Sequence, residues 1–437
     1  MKKPGRLCLV FICLLFTVPS LLFLSGCAKK KRTGGLVIWH WMTDREEAFN
    51  KLADEYTAMT GMEVRFELYA PSDAYSQKVR AAAQTDTLPD IFGVLGERRD
   101  FASFIKSGHI ANLSEAMEKD GWKTKFFDKA LAMNEFRPGN HWGVKPGIYG
   151  VPIDVTNIQM LYNKDLFARA GLDPERPPQT WEEFLEAGKK LKEAGIQGLV
   201  SGWGEIWMID CLASNYAFNI MGKEKIISTL KGKVSYTDPD WIKVFSLFKE
   251  MADSGILAKG IVTMVNKTAE QMFANARAAM AFNGSWGVNV YRGMNPALNY
   301  ASFLPPRVSD KFPLLIWGGA GSSFMVNEKS QKKRAAIEFL RWFTAEKQQS
   351  FLAQATFNMP ANRHSITEVP PALDSFADDM DRVIHPSLLP ASEFPVVIEA
   401  FDKGIQSIII GEKSPEQVAL EIQKLKNKEI RKQTAKK

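Results

Sequence analysis

The alternation of hydrophobic and polar positions after residue 35 predicts short strands and amphipathic helices in turn. Residues 36–39 are a continuous apolar run, which is typical of a strand buried on both faces. Hydrophobic residues then recur at helical spacing over residues 49–56, and Gly61 can supply the left-handed residue that ends a helix. Residues 64–68 alternate as a second strand. This strand, helix, strand unit favours a parallel sheet with a right-handed crossover.

The same alternation continues along the chain. Helical spacing predicts helices over residues 75–84 and 332–343, and a strand is expected over residues 90–95. A Ser or Thr three positions before Glu or Gln predicts a capped helix start. Such pairs are Thr43 with Glu46, Thr180 with Glu183, and Ser414 with Gln417. The fold class is therefore α/β, and two lobes are expected because one core stops growing near about 250–300 residues.

The first 27 residues have the layout of an export signal. A basic head is followed by an apolar run over residues 7–24, and small residues precede Cys27. A transmembrane helix is the alternative, since an apolar run of this length approaches the minimum that spans a bilayer. Pro19 and the small residues before Cys27 favour the export signal.

The end of this leader, Leu24-Ser25-Gly26-Cys27, resembles the lipobox of bacterial lipoproteins, whose cysteine is acylated and becomes the mature N-terminus. The resemblance implies a signal peptide over residues 1–26, lipid attachment at Cys27 and a tether over residues 27–35. The mature protein is then exported and held by its lipid at a bacterial membrane, in the periplasm or at the cell surface. Cys211 remains as a lone cysteine, so we expect a buried thiol and no intrachain disulfide.

Composition and charge exclude several classes of protein. The chain has 437 residues and a formal net charge of +7, with its positive charges concentrated at the two ends. No basic stripe is interleaved with aromatic residues, so we expect no nucleic-acid partner. The five histidines show no metal-ligand spacing, and the chain has neither a phosphate loop nor a nucleophile motif. We therefore expect no catalytic residue, no metal, no cofactor and no enzymatic activity.

Several short stretches occur in an order and spacing known from one protein family. They are Leu36-Val37-Ile38-Trp39-His40-Trp41, Leu88-Pro89-Asp90-Ile91, Tyr149-Gly150-Val151-Pro152, Leu161-Tyr162-Asn163-Lys164-Asp165-Leu166-Phe167, Thr180-Trp181-Glu182-Glu183-Phe184 and Gly284-Ser285-Trp286. Together they resemble the extracellular solute-binding proteins of ABC importers, in the branch that includes maltose-binding protein. The resemblance extends from about residue 36 to about residue 430.

This resemblance implies a periplasmic-binding-protein type II fold, in which two α/β lobes are joined by a hinge and close around a ligand in the cleft between them. By the same resemblance, lobe 1 comprises residues 36–152 and 314–357, and lobe 2 comprises residues 153–313 and 358–437. The implied partner is a membrane permease with cytoplasmic ATPase subunits, and the binding protein itself is expected to be a monomer.

A sugar ligand needs aromatic rings for its C–H faces and polar side chains for its hydroxyl groups. The chain has 11 tryptophans, more than a core of this size usually needs, so we expect some of them in the cleft. Trp286, in a Gly-Ser-Trp turn, is the strongest candidate, whereas Trp39 ends an apolar strand and can equally belong to the core. The aromatic candidates are Trp39, Trp41, Trp203, Trp286 and Trp317.

Polar candidates lie in the loops beside these rings. For those at the first lobe crossing, Asp154 and Asn157, the alternative is a hinge residue bonded to backbone. The other tryptophans are expected in packing or on helix surfaces, and Trp207 ranks below Trp203. The polar candidates are Asp90, Glu97, Arg98, Asp154, Asn157 and Glu205.

The predicted function is the capture of a mono- or oligosaccharide and its delivery to a permease. Maltose itself is not the expected ligand, because Ser392-Glu393-Phe394-Pro395 places proline where maltose-binding protein has a late aromatic platform. The alternatives are a binding protein for a polyamine, an iron chelate or a sugar phosphate, and a surface adhesin. An extracellular glycan-active enzyme is a further alternative, which requires a pair of carboxylates at a defined separation.

Overall fold

The computed structural model describes residues 34–70, 72–95 and 98–435. The predicted signal peptide, the predicted lipid attachment at Cys27 and the predicted ligand contact Glu97 lie outside these residues, as does most of the tether. Among the described residues, no helix combines the length and the apolar character that a membrane crossing requires.

The strands of the described chain are short, apart from β7. They are β1 Leu36–His40, β2 Val64–Leu68, β3 Ile91–Phe92, β4 Glu135–Phe136, β5 Gly147–Ile148, β6 Val151–Pro152, β7 Asp154–Asn163, β8 Leu199–Val200, β9 Met280–Gly284, β10 Tyr300–Phe303, β11 Ile316–Ala320, β12 Ser323–Val326, β13 Met359–Pro360 and β14 Val383–Ile384.

Helices connect most of these strands. They are α1 Glu46–Thr60, α2 Ser72–Gln84, α3 Arg98–Lys106, α4 Ser114–Glu118, α5 Asp128–Asn134, α6 Lys164–Arg169, α7 Trp181–Glu193, α8 Trp207–Leu230, α9 Pro239–Ser254, α10 Asn266–Ala274, α11 Gly287–Met294, α12 Lys333–Phe343, α13 Glu346–Thr356, α14 Asp374–Asp378, α15 Pro395–Ile409 and α16 Pro415–Thr434. Short 3-10 turns occupy Thr43–Arg45, Lys119–Lys125, Ile261–Thr263, Arg363–Glu368, Pro371–Leu373, Asp379–Arg382 and Pro386–Leu388.

Local sequence patterns predicted several helix ends correctly. Thr180 and Ser414 form the capping boxes that their spacing predicts, each satisfying free amide groups at a helix start. Gly61 ends α1 in the left-handed conformation, with φ of 72°. These predictions of helix ends are confirmed. They succeed because a cap depends on residues three or four positions apart, which can be read directly from the sequence.

Two local predictions are wrong. The capping box expected at Thr43 does not form, because Thr43–Arg45 makes a 3-10 turn and α1 begins at Glu46 without a side-chain cap. The strand predicted over residues 90–95 is limited to β3, whose residues Ile91 and Phe92 pair with β1 on one side and β12 on the other.

Lobe 1 is built on a five-stranded sheet in the order β2-β1-β3-β12-β6. As predicted, β1 is parallel to β2, and it is also parallel to β3. Leu36 and Ile38 point to the face covered by α1 and α12, whereas Trp39 packs on the opposite face with residues of α2 and α3. The lobe is stable because both faces of the sheet bury apolar side chains.

Lobe 2 is built on a sheet in the order β14-β11-β7-β9-β8, and β10 and β13 also pair with β7. All residues of β7 are buried, which places this strand at the centre of the sheet. A core formed with α7, α8, α9, α15 and α16 covers one face and contains the free thiol of Cys211, which is buried as predicted.

The chain passes between the two sheets at the hinge, where residues of three segments meet. β6 leads into β7, β11 leads into β12, and α13 leads into β13, which pairs with the start of β7. The predicted boundary at residue 314 precedes β11. Since β11 pairs with β7, the chain enters the first sheet only at Ser323.

Candidate ligand-binding site

Four aromatic side chains form one cluster where lobe 2 meets lobe 1. Trp207 lies 6.2 Å from Trp286 and 6.3 Å from Trp317, measured between ring centroids. Trp317 lies 4.4 Å from His385. Adjacent rings are tilted by 44° to 51°, so they do not form one flat wall. This ring cluster, namely Trp207, Trp286, Trp317 and His385, is the candidate ligand bed.

Trp207 occupies the middle of the ring cluster and is its most open member. It is the first residue of α8 and is 41% exposed, in contrast to the buried residues of the next helical turn. At this exposure the indole presents apolar surface to solvent, and a ligand can cover that surface.

Trp286 follows β9 and precedes α11. Its ring lies directly over Gly284, because a Cβ atom added there would stand 2.0 Å from Cζ3 of the indole. Glycine is therefore required at position 284 for the ring to occupy this place. Ser285, between them, donates its N–H to the Asn157 carbonyl at 3.0 Å and so ties the turn to β7.

Long-range pairing brings Trp317 and His385 together. Trp317 is in β11, which runs parallel to β14, and His385 is the residue after β14. The Trp317 backbone N–H donates to Oδ1 of Asn215 in α8 at 2.9 Å, which fixes β11 against the helix that carries Trp207.

His385 is neutral at neutral pH. Its burial lowers the pKa to about 3, and the positive charge of Arg98 acts in the same direction. Nδ1 accepts the Ser387 backbone N–H at 3.2 Å, so the proton of the neutral ring resides on Nε2. His385 thus adds an uncharged N–H donor to the indole N–H groups of the ring cluster.

The segment around His385 touches lobe 1. Lys129 of α5 donates to the Asp381 carbonyl, and Ser387 Oγ lies 3.8 Å from Sδ of Met133, also in α5. His141 Nε2 and Ser392 Oγ are 2.7 Å apart and form a hydrogen bond across the same junction. The ring cluster therefore lies beside a contact between the lobes.

Arg98, predicted as a ligand contact, is used inside lobe 1. Its Nη1 donates to the Met133 carbonyl at 2.7 Å and its Nη2 donates to the Glu135 carbonyl. The guanidinium also stacks on Phe136 at 4.3 Å. Desolvation lowers its pKa to about 10, although the charge of Glu135 opposes this shift. Arg98 therefore stabilises the carboxyl end of α5.

The two tryptophans of the first strand differ in their surroundings. Trp39 is buried, and its indole N–H donates to Oε2 of Glu67 at 2.9 Å. Trp41 is half-buried at the carboxyl end of β1, where its ring lies 5.1 Å from that of Tyr75 at a tilt of 46° and touches Gly93. Trp41 thus lies at the sheet edge where open parallel sheets bind ligands.

The structure does not bring Asp90 to the ring cluster. It precedes β3, at the amino end of that strand, and therefore lies at the edge of the sheet opposite to Trp41. Its Oδ2 accepts the Val37 backbone N–H at 3.0 Å, and its Oδ1 accepts the Ser330 hydroxyl at 2.6 Å. Both oxygens are thus committed within lobe 1.

Asp154 and Asn157 are buried at the hinge, as the alternative interpretation of these residues describes. Asp154 forms an ion pair with the buried guanidinium of Arg45 and accepts the Ser322 backbone N–H. Asn157 donates to the Phe376 carbonyl at 2.7 Å. Their polar atoms link crossing segments of the chain to one another.

Trp203 and Glu205 both make contacts within lobe 2. Trp203 is 0% exposed and packs against Phe248 at 5.7 Å in the core of lobe 2. Glu205 accepts the backbone N–H of Asn266, the first residue of α10, at 3.0 Å and so caps that helix. The loop that contains Trp203 was expected to expose the ring to a ligand, but it buries the ring in the core.

Trp207 ranked low among the sequence candidates, and His385 was missed. An exposed tryptophan as the first residue of a helix is a signal that can identify Trp207, because the buried turns that follow leave only that ring outside the core. His385 has no such signal, since strand pairing brings it to the rings. Within the described residues, no group of three or more His, Cys, Asp or Glu side chains can hold a metal ion.

Two α/β lobes joined by crossing strands, with a ring cluster at their junction, define the class of two-lobed binding proteins that take a solute between their lobes. The chain belongs to the bacterial extracellular solute-binding protein family, whose family model matches residues 51–379.

Individual relatives agree with this assignment. The sn-glycerol-3-phosphate-binding periplasmic protein UgpB of Brucella melitensis is 25% identical over 334 residues, which cover 74% of each chain. A chitin oligosaccharide binding protein superposes with a TM-score of 0.74 at 22% identity, over 90% of this chain and 98% of that one. The GacH receptor of Streptomyces glaucescens, solved unliganded and with acarbose, superposes with a TM-score of 0.70 at 19% identity, over 91% and 98%. The predicted family and fold class are confirmed.

Proposed function

We propose that this protein is the substrate-binding lipoprotein of an ABC importer and captures an oligosaccharide between its lobes. The single observation that carries the proposal is the ring cluster. The C–H faces of pyranose rings pack on aromatic rings, and an aromatic site with few polar groups is typical of small-molecule clefts. Rings in series, with centroids 6.2 Å and 6.3 Å from that of Trp207, offer more surface than one pyranose covers.

Polar groups beside the rings complement sugar hydroxyls. His385 offers an uncharged Nε2–H donor at one end of the ring cluster. An uncharged donor suits hydroxyl groups, which both accept and donate hydrogen bonds.

Capture is reversible and involves no chemistry. The lobes close on the ligand by hinge motion, and the closed form delivers it to a permease with cytoplasmic ATPase subunits. The protein is held at the membrane by lipid on Cys27 after export and acts as a monomer. GacH was solved in complex with acarbose, and the other structural neighbour is a chitin oligosaccharide binding protein. Both similarities support an oligosaccharide as the cargo.

A phosphorylated small solute is the second candidate, favoured by the similarity to UgpB. Phosphate is usually held by a bidentate arginine or a helix N-terminus. Arg98, whose charge acts on His385, donates instead to carbonyl groups at the end of α5. The oligosaccharide is therefore the first candidate.

A thermal-shift screen of the detergent-solubilised protein tests the proposal. The panel contains chitin oligosaccharides, raffinose, acarbose, monosaccharides, sn-glycerol-3-phosphate, spermidine and an iron chelate. A ligand at 100 times its Kd should add about 2.7 kcal/mol to the free energy of unfolding. A shift with an oligosaccharide, recovered chemically unchanged, supports the proposal. A shift with phosphates, polyamines or chelates and none with any saccharide contradicts it.

The lipid anchor has its own test. Mass spectrometry of the N-terminal peptide should find acyl chains on Cys27, and Cys27→Ala should release the protein from the membrane fraction. An unacylated N-terminus in a membrane-bound protein would exclude the lipoprotein while leaving the oligosaccharide site untouched.

A further inference from the structure

A buried ion pair lies at the hinge between the lobes. Nη1 of Arg45, in the 3-10 turn that precedes α1 of lobe 1, contacts Oδ2 of Asp154, the first residue of β7. The two side chains are 10% and 7% exposed. Withdrawing two charges from water costs free energy that their attraction must offset, whereas two apolar side chains of similar size would avoid this cost. Stability alone therefore does not explain why a charged pair occupies the hinge.

Asp154 fastens the second crossing segment to the first. Its Oδ1 accepts the backbone N–H of Ser322, and its backbone carbonyl accepts the N–H of Gly321 at 3.1 Å. A Cβ atom added to Gly321 would stand 2.7 Å from the same Oδ1, so the missing side chain permits this close approach. Gly321 and Ser322 connect β11 to β12, where the chain passes from the sheet of lobe 2 to that of lobe 1.

Arg45 reaches the third crossing segment through its neighbour in the chain. Nε of Arg45 lies 3.6 Å from Oδ2 of Asp44, and the same oxygen accepts Nδ2 of Asn358 at 3.2 Å. Asn358 lies between α13 and β13, and Pro360 of β13 pairs with Asp154. The guanidinium, which belongs to lobe 1, is therefore linked to all three segments that meet at the hinge.

The segments that this ion pair holds also position two rings of the ring cluster. Trp317 is in β11, which leads directly to the turn held by Asp154. The turn that carries Trp286 is fastened to β7, because Ser285 donates its N–H to the Asn157 carbonyl at 3.0 Å. A movement of β7 relative to Arg45 therefore moves both rings relative to lobe 1.

We infer that Arg45 and Asp154 are the positioning residues of the hinge: their ion pair fixes the angle between the lobes and thereby sets the affinity of the cleft for its ligand. The inference rests on the proposed function for the identity of the ligand. A restrained hinge holds the ring cluster in one arrangement against lobe 1, so the ligand does not have to order the lobes. Without the pair, a smaller fraction of molecules has the binding arrangement, and the apparent Kd rises in inverse proportion.

Asp154→Asn tests this role, with the tightest-binding member of chitotriose, raffinose and acarbose as the probe. The change keeps the size of the side chain and removes its charge. At a temperature where the variant is folded, the Kd of the probe should rise about tenfold.

Lys426→Met is the matched control, because Lys426 forms a buried ion pair with Glu393 inside lobe 2. This variant should unfold at a lower urea concentration than the wild type and keep its Kd within about twofold. If Asp154→Asn is destabilised like the control and its Kd is also unchanged, the hinge pair has a merely structural role and the inference is overturned.

A measurement without ligand tests the hinge itself. Lys106 of lobe 1 and Lys259 of lobe 2 are exposed. Each is replaced by an azide-bearing amino acid that takes a dye, and single-molecule energy transfer then reports the distance between the lobes. Asp154→Asn should widen the distribution of this distance at least about twofold, whereas Lys426→Met should leave the width unchanged. Equal widths in Asp154→Asn and the wild type would overturn the inference.

Arg45→Lys replaces Asp154→Asn if the latter does not fold. It retains a positive charge in the buried site, but one ammonium group does not reproduce the fork with which a guanidinium faces both Asp154 and Asp44. The same widening is expected, and an unchanged width again contradicts the inference. If no probe sugar binds, the proposed function fails, and the distance distributions still decide the role of the ion pair.

Discussion

The tryptophans of the two lobes are used differently. In lobe 1, two indole N–H groups are bonded within the lobe: Trp39 donates to Glu67 at 2.9 Å and Trp122 donates to Thr344 at 3.0 Å. In lobe 2, Trp207, Trp286 and Trp317 lie next to one another, and the ring of Trp207 is 41% exposed. The first arrangement completes a core, and the second leaves aromatic surface for a ligand to cover.

The difference shows that tryptophan content alone does not locate a binding site. What separates the two groups is whether neighbours within the lobe cover the ring face. Lobe 2 itself contains both kinds, because Trp203 is fully buried against Phe248 while Trp207, four positions further along the chain, is 41% exposed. Substitutions of single tryptophans test this separation.

Trp203→Ala should have the largest effect, on stability. Removing a fully buried indole leaves a cavity in the core of lobe 2 and should lower the free energy of unfolding by about 3–5 kcal/mol. Urea denaturation measures the change. At a temperature where the variant stays folded, the Kd of the oligosaccharide should rise by less than about threefold. A variant that keeps its stability but loses ligand binding would place Trp203 in the cleft. This result would contradict the distinction between core tryptophans and ligand-facing tryptophans.

Trp286→Ala should have the reverse profile. Loss of one face of the ligand bed should raise the Kd about 100-fold, as for a central aromatic contact. Trp286→Ala should lower the free energy of unfolding by less than Trp203→Ala does, because the Trp286 ring is only half-buried. Calorimetric titration with the best sugar of the panel measures Kd. Unchanged affinity would show that the ring cluster is not part of the ligand-binding site.

Trp39→Phe should have a smaller effect that is confined to stability. The variant keeps most of the packing but leaves Glu67 without the indole donor, which should cost about 1 kcal/mol. In the wild-type protein, Nζ of Lys78 lies 4.4 Å from the centroid of the Trp39 ring. The phenylalanine of the variant keeps an aromatic face under this ammonium group. Affinity should stay within about twofold of wild type. A tenfold loss of affinity without a change in stability would make Trp39 a ligand contact.

Each lobe also contains a histidine whose pKa is lowered by burial. Burial lowers the pKa of His40 to about 4 and that of His385 to about 3, from 6.5. The unfolded chain binds protons below pH 6.5 that the folded chain does not, so the free energy of unfolding should fall as the pH drops from 6.5 to 4. His385→Gln should reduce this slope, as measured by urea denaturation at each pH.

The same histidines sharpen the comparison when ligand is present. A sugar bound at the ring cluster should shift the ring resonances of His385 in an NMR titration and leave those of His40, which is enclosed by Phe49 and Phe66, in place. Perturbation of His40 alone would put the ligand in lobe 1.

The sequence predicted much of the fold because strands and caps depend on near neighbours. The capping boxes at Thr180 and Ser414 are confirmed. The box at Thr43 failed because the adjacent Arg45 is drawn into a buried ion pair with Asp154, more than one hundred positions away, and the chain there makes a 3-10 turn. A window of a few residues contains no information about such a partner.

The candidate site was predicted in part. Trp286 and Trp317 were chosen from the glycines beside them, and both lie in the ring cluster. His385 was not chosen, because β14 meets β11 only in the folded chain. Sequence spacing detects turns that expose a ring, but it does not detect the long-range partner that holds the ring.

The most direct test of the account is a crystal structure with the best oligosaccharide of the panel. The account predicts pyranose rings packed on Trp286 and Trp207 in the cleft between the lobes, with a sugar hydroxyl bonded to His385. A saccharide bound elsewhere, with the ring cluster empty and the lobes in the same arrangement, would contradict it.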